Sequence, residues 1–460
     1  MAEPGSAAGE RTWRPARLLP IALGTLIVPL DTSLNIAFPA ITQAFALEVA
    51  AIQWLVVCYM LVYGSLLLVC GRIGDIHGHA RVFRLGLAWS AAALVLCMWA
   101  PTYGWLLACR ALQGVGAALV LACGPALITA LAPDRMRARA LGVYAMAMAL
   151  GFALGPLVGG VLVEQYGWQA VFWFRVPIAL AALALCWRVL PAAARASAAA
   201  RFDAPGALLL ALALAALLLA VNRLRYLADG DASGLALIAL GVAAAAAFLW
   251  QQRRSPAPIV DARAFRDVDF ALVNAANLLV NFAGFAVLLL APYYLVRAVE
   301  GPLALAGALL AAGGIGTAAA SPFAARWVAR VSPYAISVLG GLLVAAGLAL
   351  ACLWQADANV ALILGALLLQ GCGLGLFQVA YMDIVTAHLP REDRGVAGSL
   401  AHLTRTVGVL AGATVLSLAF QGFEPAHGFL GAFQGAFGLA AAAAALAAVA
   451  ILARARHWPR

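Results

Sequence analysis

The stretch GFALGPLVGG, Gly151 to Gly160, lies inside a long apolar segment and decides the kind of fold. Four glycines and one proline in ten residues would break an ordinary soluble helix, because glycine costs about 1 kcal/mol and proline about 3 kcal/mol at interior positions. In lipid these residues are tolerated, since neighbouring helices satisfy the freed backbone groups. Glycines at this spacing also let another helix approach closely. The stretch therefore predicts a kinkable, closely packed helix in a membrane protein that moves.

The composition of the whole chain agrees with a membrane location. Of its 460 residues, 65% are hydrophobic and only 10% are charged, against roughly 25% charged residues in soluble proteins. The net charge of +10 comes from arginine alone, and the arginines lie in short runs between apolar segments. This placement favours membrane topology over nucleic-acid binding. The eight cysteines lie in apolar segments without a CxxC pair, so we interpret them as small hydrophobic residues.

A membrane-spanning helix needs about 20 mostly apolar residues, and the chain contains fourteen such segments. Most of the arginines fall on one side of the membrane if the N-terminus is cytoplasmic, and one helix more or less would destroy that bias. Both termini are therefore predicted to be cytoplasmic, in the inner membrane of a bacterium. The segments are centred near Ile27, Leu61, Ala91, Leu119, Leu150, Ala179, Ala211, Leu240, Phe282, Gly313, Val344, Leu369, Leu410 and Ala442.

The second half of the chain repeats the first at a constant offset. Segments four and five correspond to segments twelve and thirteen, in the same membrane orientation, which is the parallel kind of repeat. In a chain of two six-helix halves alone, the matched segments would be six segments apart. Here they are eight segments apart. Segments seven and eight are therefore an inserted pair. The matched positions are Gln113 and Gln370, Gly114 and Gly371, Gly116 and Gly373, Thr129 and Thr386, Pro133 and Pro390, Arg137 and Arg394, Gly151 and Gly408, and Gly155 and Gly412.

The predicted fold class is therefore an all-α polytopic membrane protein with two six-helix halves in parallel repeat and two inserted central helices. Its predicted parts are a cytoplasmic N-terminal segment (1–17), an N-terminal half (18–190), an inserted two-helix region with flanking cytoplasmic loops (191–268), a C-terminal half (269–453) and a cytoplasmic tail (454–460).

Five motifs follow one another along the first half of the chain: LDTSLNIAFPAI (30–41), IQWLVVCYML (52–61), GRIGDIHGHAR (71–81), RALQGVGAALV (110–120) and GFALGPLVGG (151–160). In this order they resemble the major facilitator superfamily, specifically its fourteen-helix drug:proton antiporters of the EmrB/QacA type. The resemblance implies the major facilitator fold and efflux of compounds rather than uptake. It also implies that the motif residues take part in conformational change: Gly71, Asp75, Gly78, Gly151, Gly155, Pro156, Gly159 and Gly160.

The chain departs from the family pattern at two places. His79-Ala80 replace the usual basic pair after segment two, which predicts a weaker or pH-sensitive latch in that loop. Arg175 precedes Pro177 where the family tends to have an asparagine, so a permanent charge replaces a neutral amide.

Charges deep in a membrane helix are costly and indicate function by default. Asp31 is predicted to bind and release protons or to bind a substrate cation, and the alternative is a fixed salt bridge that holds the bundle together. The resemblance implies that Arg110 takes part in proton transfer, and the alternative is a bundle-stabilising or snorkelling arginine.

The further intramembrane charges are Asp383, Arg405 and Arg175. An ion pair between Arg405 and Asp383 is one expectation. For Arg175 two hypotheses stand: it balances Glu164, or it sets the charge preference for substrate.

Polar and aromatic residues on shared helix faces are predicted to line a substrate cavity. Asn35 stands one helical turn from Asp31. The three asparagines of segment nine, at i, i+3 and i+7, share one face, for which hydrogen bonds between helices are the alternative. The predicted cavity residues are Asn35, Trp54, Tyr59, Tyr63, Gln113, Asn274, Asn277 and Asn281.

No catalytic, metal-binding or ATP-binding motif occurs in the sequence. The chain is therefore predicted to be a secondary transporter without a cofactor, driven by the proton gradient, and not an enzyme. Its predicted partners are protons, the lipid bilayer and a hydrophobic or cationic small molecule, with no nucleic acid. It is expected to act as a monomer or, in a Gram-negative cell, with periplasmic adaptor proteins. The alternatives are a uniporter or importer of a native metabolite, and a membrane receptor or assembly factor that transports nothing.

Overall fold

The structure, a computed structural model, describes residues 18–131, 137–190, 203–223, 232–255, 267–298, 302–328, 330–355, 359–388 and 394–454. All regular secondary structure in these ranges is helical. The α-helices in them are α1 (Leu19–Leu26), α2 (Ser33–Ala44), α3 (Gln53–His77), α4 (His79–Met98), α5 (Tyr103–Leu131), α6 (Arg137–Tyr166), α7 (Ala170–Trp173), α8 (Arg175–Val189), α9 (Ala204–Arg223), α10 (Ser233–Arg254), α11 (Val268–Ala298), α12 (Leu303–Val328), α13 (Pro333–Ala351), α14 (Val360–His388) and α15 (Arg394–Leu452).

Length and hydropathy identify eleven candidate membrane spans within these ranges. The last of them, Leu403–Leu452, contains two helices, because Gly428 has φ 66° and ψ −178° and interrupts α15. Two shorter apolar helices, Gln53–Leu67 and Ala204–Leu217, bring the described set to fourteen. Each of the fourteen predicted centres lies within one of these spans; the first, Ile27, directly follows the end of α1.

Equivalent glycines pack in the same way in the two halves. Gly114 and Gly116 on α5 approach α3 and α4, and their matches Gly371 and Gly373 on α14 approach α12 and α13. The repeat found in the sequence is therefore also a repeat of helix packing, as expected for two copies of one six-helix unit.

The glycine pair of α6 shows the same correspondence. A Cβ atom on Gly155 would lie 3.0 Å from the backbone nitrogen of Ser33, so α6 packs directly on the first span. A Cβ atom on the matching Gly412 of α15 would lie 2.7 Å from the carbonyl oxygen of Phe282 on α11. Each half therefore uses bare backbone to bring its fifth helix against its first.

The inserted helices α9 and α10 pack against each other, and α9 also contacts α3 and α15. Asp203 joins the two ends of the pair. Its Oδ1 atom accepts hydrogen bonds from the backbone N–H of Gly206 (3.0 Å) and the amide of Gln251 (2.8 Å), and its Oδ2 atom accepts from Gln252 (2.7 Å). The carboxylate thus caps the N-terminus of α9 and ties it to the last turn of α10. The linkers 191–202 and 256–266 lie outside the described residues, so the boundaries of the insertion stay a prediction.

Replacing Asp203 with alanine is expected to lower the thermal unfolding midpoint of the purified protein in detergent. The variant loses a helix cap and two side-chain hydrogen bonds to α10, a cost of about 1–3 kcal/mol. Asp203→Asn keeps a good capping oxygen and is expected to fall between the wild type and Asp203→Ala. Equal midpoints for the wild type and Asp203→Ala would show that the clasp contributes nothing.

Candidate functional site

Asp31 lies at a break in the first span. A 3₁₀ turn over Pro29–Thr32 separates α1 from α2. Proline has no N–H to donate to the preceding turn of helix, and the N–H of Asp31 bonds to the carbonyl three residues before it. Sequence and local geometry therefore place a carboxylate at an irregular turn in the middle of a membrane span, the arrangement that transporters use for ion and substrate sites.

Arg175 also lies at a break. α7 ends at Trp173, and Arg175 is the first residue of α8, so span six is interrupted at Phe174. The Nε atom of Arg175 donates to the carbonyl of Val171 at 2.8 Å. This bond fixes the start of the side chain and directs the guanidinium towards the first span.

Two arginines and one amide hold the carboxylate of Asp31. Arg110 donates from Nη1 to Oδ1 and from Nη2 to Oδ2, both at 2.8 Å, which is a bidentate pair. Arg175 donates from Nη1 to Oδ1 at 2.6 Å, and Gln113 donates from Nε2 to Oδ1 at 3.1 Å. The cluster joins spans one, four and six. Arg175 therefore pairs with Asp31, and the hypothesis that it balances Glu164 is wrong.

The cluster buries more positive than negative charge. Arg110 and Arg175 are both 0% exposed. Arg110 also donates from Nε to the carbonyl of Leu55 at 3.0 Å, and its guanidinium lies 4.4 Å from the ring centre of Tyr59. The Nη2 atom of Arg175 is buried without a hydrogen-bond partner among the described residues. One carboxylate therefore balances two guanidiniums, which leaves a formal charge of +1.

Asp31 keeps access to a cavity despite these contacts. Its side chain is 14% exposed, and it borders a cavity of about 100 Å³ together with Asn35, Tyr59 and Tyr63. Its Oδ1 atom accepts three hydrogen bonds, whereas Oδ2 accepts one. A proton that binds Oδ2 would weaken the bidentate pair, so protonation and the grip of Arg110 are coupled by geometry.

A second cavity of about 290 Å³ lies beside the first, between the two halves. Its walls come from the first span and from α6, α11, α12, α14 and α15, and they are mostly apolar. The two cavities share six lining residues, which makes them neighbouring parts of one central space: Thr32, Phe152, Phe285, Leu288, Arg405 and Val409.

The predicted asparagine face divides between two roles. Asn281 lines the larger cavity. Asn277 instead donates to Thr404 Oγ1 at 2.7 Å, and Asn274 accepts a hydrogen bond from the hydroxyl of Tyr381 at 2.9 Å. These bonds connect α11 to α14 and α15. Asn274 and Asn277 line neither of the two cavities. They form hydrogen bonds between helices, which was the alternative to cavity lining.

The remaining predicted residues are more dispersed. Gln113 lies in the Asp31 cluster rather than on a cavity wall, and Trp54 is half-buried against the core. Asp383 is exposed near the end of α14. Arg405 lies in the central space, 5.2 Å from the ring centre of Phe152. The expected pair between Arg405 and Asp383 is therefore wrong, because the two side chains form no ion pair in the described part of the chain.

The glycines of GFALGPLVGG serve two interfaces. Gly151, Gly155 and Gly159 face the first span. Gly160 faces α12 of the other half, where an added Cβ atom would lie 2.8 Å from the carbonyl oxygen of Leu303 and 3.1 Å from Cα of Gly307. The stretch thus holds the Asp31 turn on one side and the interface between the halves on the other.

Pro156 belongs to both the cavity and that interface. It lines the larger cavity, and its carbonyl oxygen lies against Gly307 of α12.

In the loop motif, Gly78 has φ 89°, a conformation that favours glycine, and it forms the tight turn between α3 and α4. Gly71 lies within α3 near Ala122 of α5, and the side chain of Asp75 lies outside the described part of the structure.

Direct contacts between the halves occur in the middle of the bundle, where Gly314 of α12 lies against Phe152 of α6, and at the end of the bundle where α2 and α6 end and α12 begins. This is the end predicted to face outwards. Hydrogen bonds there join the hydroxyls of Thr42 and Tyr293 (2.6 Å), the side chains of Gln421 and Glu48 (3.1 Å), and the backbone N–H of Ala304 and Glu164 (3.1 Å).

Several cavity residues were not predicted from the sequence. Thr32 and Phe152 line both cavities. Each lies inside a recognised motif, but neither was predicted as a cavity residue. Gln370 lines the larger cavity, and the repeat itself was the available signal, since Gln370 matches Gln113. Phe285 and Gln378 carried no such signal, because an isolated aromatic or amide residue in an apolar helix is more often packed than exposed to a cavity.

Two packed helical repeats around a central space with buried charges define a polytopic membrane transporter. Residues 21–259 and 273–459 match the family model described as Major Facilitator Superfamily, and the chain belongs to that family. It is therefore a transport protein and not an enzyme.

Relatives with described activities agree with this assignment. The chain is 33% identical to the puromycin resistance protein of Streptomyces alboniger, over 95% of the chain and 91% of the relative. It is 30% identical to the tetracenomycin C resistance and export protein of Streptomyces glaucescens, over 90% and 77%. It is 27% identical to the riboflavin transporter RibZ of Clostridioides difficile, over 88% and 87%.

Solved structures agree on the fold. The chain superposes on a crystal structure of the peptide transporter POT in complex with sulfate with a TM-score of 0.75 and 16% identity, over 97% of the chain and 96% of that structure. A likeness at this identity concerns the arrangement of helices alone.

Proposed function

We propose that the protein exports hydrophobic or amphipathic small molecules across the bacterial inner membrane in exchange for protons. The observation that carries the proposal is the position of Asp31. The carboxylate borders the central space between the halves and is bound by arginines from spans four and six. A group that binds a proton here changes the contacts of three helices at once, which is what coupling requires.

Export rather than uptake is supported by relatives whose names describe antibiotic resistance and export. Hydrogen bonds join the two halves at the predicted outer end. In this arrangement a substrate enters from the cytoplasmic side. Proton binding at Asp31 then favours the alternative arrangement in a rocking motion of the halves. The energy source is the proton gradient, without a cofactor.

Transport by proteoliposomes with an acidic lumen tests the proposal. We expect radiolabelled tetracenomycin C to accumulate in the lumen while protons leave it. Protein-free liposomes with the same gradient are the essential control, since an apolar compound can enter a liposome without any protein. Nigericin, which collapses the gradient, is expected to abolish accumulation.

The outcomes separate the proposal from its alternatives. Flux that does not respond to the gradient would indicate a uniporter and overturn the proton coupling. A drug-susceptibility panel in an efflux-deficient host provides the second comparison. If expression of the wild-type protein changes the susceptibility of the host to none of the drugs, the result would favour a receptor or assembly role.

The relative named as a riboflavin transporter supports a second candidate, transport of a native metabolite. Uptake of radiolabelled riboflavin by whole cells in the absence of drug distinguishes it, because an exporter lowers the cell content of its substrate and an importer raises it.

A further inference from the structure

The central space contains a positive charge that the described residues do not neutralise. Arg405 on α15 lines both cavities. Among the described residues it forms no ion pair and no hydrogen bond, and its guanidinium lies 5.2 Å from the ring centre of Phe152. The other charged residue on these walls is Asp31, which already binds Arg110 and Arg175. Two excess positive charges therefore border the space in which a substrate would lie.

An uncompensated charge inside a membrane protein is costly, and such residues mark the paths of charged ligands. A cation that entered would meet a carboxylate whose lone pairs are largely occupied and a guanidinium that repels it. An anion would instead supply the missing counter-charge, with a planar donor fork ready to bind two oxygens of a carboxylate. The electrostatics of the walls therefore favour an acidic ligand over a basic one.

The surroundings of Arg405 indicate the rest of the ligand. Amide and hydroxyl groups occur on the larger cavity's wall at Gln370, Gln378, Asn281 and Thr317. Otherwise the wall is apolar, with Phe152 and Phe285 among its side chains. A volume of about 290 Å³ fits a small ring system. One charged point, a few amides and an apolar remainder match an amphipathic organic acid with a flat apolar body.

We infer that Arg405 binds the acidic group of an amphipathic organic anion and so sets the charge preference of the transporter. This inference rests on the proposed function, whose substrate it narrows. It also departs from the sequence-based expectation of a cationic substrate. Asp31 then binds protons and not the substrate, because Arg405 on the opposite half binds the charged group of the substrate. The ligand then bridges the halves, since Phe152 comes from the first and Arg405 from the second.

Three naphthalene probes of one shape test the inference: 2-naphthoate (anion), 2-naphthamide (neutral) and 2-naphthylmethylammonium (cation). Binding to the purified full-length protein in detergent is measured by equilibrium dialysis with radiolabelled probe, against detergent alone. We expect 2-naphthoate to bind most tightly to the wild type. Arg405→Gln is expected to weaken its binding about 10- to 100-fold, the range for loss of a charge-assisted hydrogen bond, and to change 2-naphthamide binding less than about twofold. Arg405→Lys is expected to retain part of the anion preference.

Arg326→Gln is the matched control. Arg326 also contacts a phenylalanine ring, that of Phe323 at 6.0 Å, but it is exposed at the far end of α12. It is expected to bind all three probes as the wild type does. Size-exclusion profiles check folding, and Arg405→Lys keeps the test valid if Arg405→Gln does not fold, because a loss of preference despite a retained charge would contradict the inference.

Three results would overturn the inference: tighter binding of the cation than of the anion, an unchanged anion affinity in Arg405→Gln, or no binding of any probe. These outcomes are separate from failure of the proposed function. If anion binding depends on Arg405 but no proton-driven flux is measured, the proposed export function is refuted and the inferred anion site is supported. If proton-driven drug flux is measured and Arg405→Gln does not alter it, the export function is supported and the inferred anion site is refuted.

Discussion

Asp31→Asn is expected to abolish proton-driven accumulation and to destabilise the protein. The change removes the counter-charge of Arg110 and Arg175, both fully buried. Removing one partner of a buried ion pair costs about 3–5 kcal/mol, because the other charge stays behind. Accumulation in proteoliposomes with an acidic lumen and the thermal unfolding midpoint in detergent measure the two effects. The variant is still expected to insert into the membrane, since the hydropathy of the span is retained.

A double variant separates coupling from stability. Asp31→Asn with Arg175→Asn returns the cluster to its original formal charge of +1, with Arg110 as the remaining guanidinium. We expect its unfolding midpoint to recover towards that of the wild type, while proton-driven flux stays absent because no carboxylate is present. Wild-type flux in the double variant would show that the proton binds elsewhere. Asp383→Asn, the same change at an exposed site, is expected to behave as the wild type.

Arg110→Ala is expected to lose proton-driven flux as well, because the bidentate partner of Asp31 is gone. Arg175 and Gln113 remain on Oδ1, so the carboxylate is not orphaned and the protein is expected to insert. Flux measured in the same proteoliposomes decides the matter. Full retention of proton-driven transport by both Asp31→Asn and Arg110→Ala would refute the coupling mechanism.

The fold was accessible from the sequence because the bilayer imposes a simple rule. A span of about 20 apolar residues must be a helix, and arginine placement restricts the number of spans. The repeat added the packing, since Gly151 and Gly155 recur at Gly408 and Gly412, and each pair lies against the first helix of its half. Such agreement needs no knowledge of side-chain rotation.

The partners of buried charges were less accessible, because hydropathy gives the depth of a residue and not the direction of its side chain. One of the two hypotheses for Arg175 paired it with Glu164 on the basis of depth. The interruption of span six at Phe174 turns it towards Asp31 instead. Asn274 and Asn277 share a helix face with Asn281. Their amides nevertheless form hydrogen bonds with neighbouring helices, Asn274 with Tyr381 and Asn277 with Thr404. A pattern within one helix cannot reveal which neighbour satisfies it.

Gly307→Val is expected to shift the protein towards the arrangement that opens at the predicted outer end. Gly307 is buried on α12 against α6, where its Cβ atom would meet the carbonyl of Pro156 and lie 3.0 Å from Cα of Gly160. Backbone on both sides cannot move aside, so the helices must separate. Overpacking of this kind costs about 1–3 kcal/mol, which changes the ratio of two states by about 5- to 150-fold. We expect the cost to fall on the arrangement described here, because a rocking motion that parts α6 from α12 at this end would relieve the clash.

Spin labels on cysteines introduced at Glu48 and Gln421 measure this shift, since these side chains meet across the halves at the outer end (3.1 Å). In a background without the eight native cysteines, double electron–electron resonance is expected to give mostly short distances for the parent. Gly307→Val is expected to give a dominant longer distance. Gly365→Val is the matched control, because no atom lies within 4 Å of a Cβ placed there. An unchanged distance distribution in Gly307→Val, or an equal shift in Gly365→Val, would show that close contact of α6 and α12 does not hold the outer end shut.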